Sequence, residues 1–152
     1  MLDFQNIGVQ IQTEKASSYF TEDDLNFLRG EVSEHHCYHN SFLCCLFHRQ
    51  TKRPSYYVEG YVETTEGEMI PHAFNMREKC YDLTKHFFFD EAELTYYMKR
   101  VYRYEEIKAV FERTGKTFLT FTPEGERRMN LNDIYILKKK SQDIEGKLLI
   151  LP

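Results

Sequence analysis

The chain of 152 residues is 41% hydrophobic and 29% charged, with twelve Phe, eleven Tyr and no Trp. That length suits one domain with a true core, and the composition excludes a disordered chain. A formal net charge of −4 gives no general attraction to nucleic acid or to an anionic membrane.

The single basic run, Lys138-Lys139-Lys140, is followed by Asp143 and Glu145 and reads as a solvated face. Of the four cysteines, Cys44 and Cys45 are neighbours inside a helical pattern and are badly placed to pair, so reduced thiols are expected. The N-terminal residues lack a basic start followed by an apolar block, and no run approaches the ~18 apolar residues of a membrane span. The expectation is one globular domain over residues 1–152, soluble and cytoplasmic, with no nucleic-acid or membrane partner. Its oligomeric state is not encoded in any feature of the chain.

Residues 4–13 alternate loosely (Phe4, Ile7, Val9, Ile11) and predict an edge strand or an extended arm. Thr21 with Asp24 resembles a capping box, and Leu25 and Leu28 follow at helical spacing before Gly30. A central helix is expected to start within Glu34–Tyr38 and to run to about Gln50, before Pro54 breaks the pattern. On it Asn40, Ser41, Cys44, Cys45 and His48 share the face of Cys37, while Phe42, Leu43, Leu46 and Phe47 make the rest of the circumference apolar.

Strands are expected over 55–63, 69–76 and 79–84, with turn chemistry at Thr64 to Gly67. Asp90 and Glu93 read as a second cap ahead of Leu94, Tyr97, Met98 and Val101, which predicts a helix there. Another helix is expected over 105–114. Lys116 to Thr122 reads as a strand, with short strands over 131–137 and 148–151. The order of elements predicts an α+β fold in which a central helix packs on an antiparallel sheet.

Nucleophilic cysteine chemistry needs a thiolate, a base within hydrogen-bond reach and a group that holds the base in one tautomer. Cys37 is the candidate nucleophile, at the first turn of a helix where unpaired N–H groups favour an anion. His72 in Ile-Pro-His-Ala-Phe-Asn is the candidate base and Asp82 in Cys-Tyr-Asp-Leu-Thr the candidate orienting acid. Ten residues separate them on consecutive strands, so they share a face only if the loop between the strands has an odd number of residues. Cys44, Cys45 and Cys80 read as packing residues.

A zinc site built from Cys44 and His48 or from Cys80 and His86 is the other chemistry these residues offer. The paired ligand spacing of structural zinc sites is missing, so no metal is expected. Nothing Gly-rich suggests a phosphate cradle, and no cofactor is expected. His35, His36 and His39 read as surface groups or as the mouth of the site.

Cys37 leading a helix, then Tyr57-Val58-Glu59-Gly60-Tyr61, Pro71-His72-Ala73-Phe74 and Tyr81-Asp82-Leu83-Thr84, resembles the core of transglutaminase-like, papain-fold proteins over residues 37–84. The same Cys-His-Asp order is similar, less closely, to arylamine N-acetyltransferases. The resemblance implies a nucleophile at Cys37, a base at His72 and an orienting acid at Asp82. The implied function is acyl transfer or amide hydrolysis on a peptide or a small amide or thioester substrate. The alternative is a catalytically inactive scaffold of the same kind that binds a protein or peptide.

Overall fold

In the computed structural model, residues 2–3, 9–49 and 51–114 are described. The elements are β1 (Leu2–Asp3), β2 (Val9–Ile11), α1 (Glu22–Arg29), α2 (Cys37–His48), β3 (Tyr56–Glu63), β4 (Met69–Met76), β5 (Cys80–Tyr81), α3 (Leu83–Phe88), β6 (Thr95–Tyr102) and α4 (Tyr104–Thr114). The strands expected beyond residue 115 lie outside the described residues. The class is α+β, with helices on a curled antiparallel sheet.

The strand order is β1-β6-β3-β4-β5, with β2 also on β6. The arm over 9–14 does more than edge the sheet. Val9 to Ile11 pair antiparallel with Met98 to Tyr96, and two residues later Thr13 bridges Cys80 of β5, with the Glu14 N–H donating to the Cys80 carbonyl at 2.7 Å. One short segment therefore touches both ends of the path β6-β3-β4-β5, and the pairings run round in a ring.

Inside that ring, Val58, Val62, Phe74, Met76, Tyr96, Met98 and Val101 share one face with Val9 and Cys80. The opposite face presents Tyr57 and Ala73 to Phe42 and Cys45 of α2 and to Ile107 of α4. A third cluster joins Phe20, Leu28 and Val32 to Cys44, Tyr81 and Leu83. Thr21 caps α1 as its sequence predicts: its side chain accepts from the Asp24 N–H at 3.1 Å, and Asp24 accepts from the Thr21 N–H at 3.0 Å.

Two expectations are corrected. The segment read as a helix from Leu94 to Val101 is β6, paired on both sides. Tyr96, Tyr97, Met98 and Lys99 are all buried, because helices cover one face and the sheet's interior the other, so no alternation betrays the strand. The strand expected over 79–84 stops at Tyr81, because the Asp82 side chain accepts from the Lys85 N–H and starts α3. The strip Asn40, Ser41, Cys44, Cys45 and His48 is the buried side of α2, and Leu43, Leu46 and Phe47 are only half-buried. Small side chains let the helix approach the sheet, and Asn75 of β4 reaches the Ser41 carbonyl at 2.9 Å.

Candidate active site

Cys37 is the first residue of α2 and is half-buried. Just before it, His35 takes a left-handed φ of 64°, uncommon for a residue with a β-carbon, and this turns the chain into the helix. Asn40 holds that turn in place. Its Oδ1 accepts from the Ser33 N–H at 3.0 Å, while its Nδ2 donates to the Ser33 carbonyl at 2.8 Å and to Thr84 Oγ1 at 3.0 Å. The wholly buried amide thus ties the approach to Cys37 to the first turn of α3, which begins after Asp82.

The loop between β4 and β5 is Arg77-Glu78-Lys79, three residues, with Met76 paired to Cys80 across it. An odd loop brings Asp82 to the side of the sheet where His72 stands. His72 Nε2 meets Asp82 Oδ2 at 2.7 Å with both side chains buried. Cys37 lies near enough to act on the same imidazole through its charge and polarity. Because Nε2 faces the carboxylate, the nitrogen left for sulfur is Nδ1. All three residues singled out in the sequence therefore meet.

Gly60 pairs with His72 across β3 and β4. At this point β3 and β6 change register, and a β-carbon on Gly60 would lie 1.9 Å from the Tyr97 carbonyl oxygen. Only glycine permits that approach.

Burial works against a charged His72. The Asp82 carboxylate and then Cys37 outweigh it by charge and hydrogen bonding, and His72 is held well above the usual histidine range. Burial likewise opposes ionised Asp82, but His72, the Tyr96 hydroxyl and the Lys85 N–H together keep it below the usual carboxylate range. The three other thiols are closed off from solvent. Cys44, Cys45 and Cys80 are fully enclosed and burial drives each upward, which removes them as nucleophiles near neutral pH.

Tyr96 is the residue sequence reading missed. Its Oη donates to Asp82 Oδ2 at 2.6 Å, on the oxygen that His72 also uses. No local motif marks it: its partner is fourteen residues upstream, and the helix expected over this stretch gave it no reason to face Asp82. Asn40 was visible only as a neighbour of Cys37 at i+3.

Cys44 is packed in the buried cluster beside Tyr81, and His48 Nδ1 meets Ser55 Oγ at 2.8 Å. Among the described residues no group of three or more His, Cys, Asp or Glu side chains is gathered to hold a metal ion. Within the same residues no helix is long and apolar enough to cross a membrane. His35 stands out in solvent, and His36 Nδ1 meets the Glu34 carbonyl oxygen at 2.8 Å.

No family model matches the chain, and no curated protein or solved structure matches it either.

Proposed function

We propose that the chain is a cysteine-dependent acyl-transfer enzyme or amide hydrolase on a papain-like, transglutaminase-like scaffold. What supports this most is a single arrangement: a buried imidazole with a carboxylate on Nε2 at 2.7 Å and a helix-start thiol nearby. The Cys37 sulfur attacks the carbonyl of a peptide, small amide or thioester, and His72 carries the thiol proton to the leaving amine or thiol. Asp82 keeps the ring in one orientation. The first-turn amides of α2 include that of Cys37 and offer the developing oxyanion a donor. Water then releases the acyl group as an acid, or an amine takes it as a new amide.

The chain should form an acyl adduct when mixed with a p-nitrophenyl ester, with a burst of nitrophenolate equal to the protein present. Peptide mapping should place the adduct on Cys37, and His72→Ala should slow the burst by roughly 100-fold or more. An adduct on other residues only, or a burst indifferent to His72→Ala, counts against the proposal.

A second reading keeps the scaffold without the chemistry, as a module that binds a peptide. The half-buried Tyr38, Tyr102 and Tyr104, packed with Cys37 against one cluster, favour it by giving the site an aromatic border. Peptide binding without any acyl adduct would select this reading.

A further inference from the structure

Asp82 is a buried carboxylate with three donors converging on it. Oδ1 accepts from the Lys85 N–H at 3.1 Å, and Oδ2 accepts from both His72 Nε2 at 2.7 Å and Tyr96 Oη at 2.6 Å. The backbone donor belongs to the helix cap and explains why Asp82 stands where it does. The phenol has no such duty. Tyr96 is on the far side of the sheet path from β4, and β6 is bonded to β2 and β3 without the hydroxyl's help.

Its ring is fixed by packing, edge-on to Phe74 with centroids 5.1 Å apart and buried in the cluster inside the curled sheet. The hydroxyl is therefore delivered to Oδ2 by a rigid frame. On its other side, Tyr96 and Asp82 together wall a cleft of about 380 Å³ that Lys15, Lys85, His86 and Asp90 also line.

We propose that Tyr96 is a positioning residue of the candidate site: its hydroxyl fixes Asp82 Oδ2 and takes up part of its charge, limiting how firmly the carboxylate holds a proton on His72. The proposal rests on the reading of His72 as the base at Cys37. Two donors on one oxygen compete for its electron density, so a stronger Tyr96 bond weakens the hold on His72 and a missing one strengthens it. The balance matters because a base bound too tightly as imidazolium is slow to hand its proton to the leaving group.

Other groups share the surroundings and must stay constant in a test. Cys37 and Cys44 face the His72–Asp82 pair from α2, and Cys80 faces Tyr96 from β5. The cleft adds Glu14 and Lys15 from the arm, Lys85 and His86 from α3, and Asp90 and Glu91 from the loop before β6. Substituting Tyr96 alone changes none of these.

The test is an NMR titration of the His72 ring in the full chain carrying Cys37→Ser, which removes the sulfur from the balance. Tyr96→Phe deletes only the hydroxyl and should move the His72 titration upward by roughly one pH unit, the scale of one hydrogen bond to a charged group. Replacing Tyr96 with 3-fluorotyrosine, a more acidic phenol and stronger donor, should move it downward. A purely structural role predicts lowered stability with the titration unmoved, and that result in both variants overturns the proposal. If Tyr96→Phe does not fold, the fluorinated chain alone decides. The reading of His72 as base fails separately, when acylation of Cys37 in the unsubstituted chain is indifferent to His72→Ala whatever the titration does.

Discussion

Asp82 carries two structural tasks on two oxygens. Oδ1 caps α3 while Oδ2 receives His72 and Tyr96, so the turn that starts the helix also aims the acid. His48 makes a separate, acid-sensitive contribution. Burial, and then the charge of Arg77, push its value down to about 4, while its ring stacks on Phe20 at 4.7 Å and Nδ1 engages Ser55. The unfolded chain takes up this proton near 6.5 and the folded chain only near 4. Stability is therefore lost as pH falls through that window.

His72, raised, has the opposite sign: its stabilisation is full below the unfolded value and fades as pH rises past it, so it offsets the His48 trend only at the top of the window; Asp82, lowered, acts only nearer its own unfolded value. Half-buried His39 is lowered by burial and by His36 and adds a slope of the same sign. Urea unfolding at pH 6.5, 5.5 and 4.5 should show falling stability, and His48→Asn should flatten the fall in part. An unchanged slope in that variant would place the acid sensitivity elsewhere.

At the level of elements, the α1 cap was legible because Thr21 and Asp24 satisfy each other's N–H groups within one turn. The odd loop between His72 and Asp82 was legible because parity is a local rule and no tight two-residue turn residues occur there. The strand β6 was not legible. Burial on both faces erased its alternation and left Leu94, Tyr97, Met98 and Val101 at a spacing that imitates a helix. The short α3 hid for a related reason, since Asp82 before Leu83 and Thr84 reads equally as the end of a strand or the cap of a helix.

Gly60 belongs to this scale too, because its missing side chain lets β3 and β6 close beside His72. Gly60→Ala forces backbone against backbone and should cost roughly 1–3 kcal/mol, at the upper end of that range, read as a lower urea midpoint. A midpoint equal to the unsubstituted chain would mean the bulge closes differently.

Across the whole molecule, the site lies where three long-range connections converge. The arm over 9–14 joins β6 to β5, Asn40 joins the start of α2 to the start of α3, and Asn75 joins β4 to α2. None of these is a property of one segment. The sequence therefore displays the three candidate residues and their order but not the frame that brings them within reach. The sharpest check on that frame is the rate at which iodoacetamide alkylates Cys37 near neutral pH, resolved by peptide mapping. Cys37 should react faster than the same thiol in the denatured chain, and His72→Ala and Asp82→Asn should each abolish the excess. A Cys37 that reacts no faster folded than unfolded, or one whose excess survives both substitutions, would contradict the Cys37–His72–Asp82 assignment.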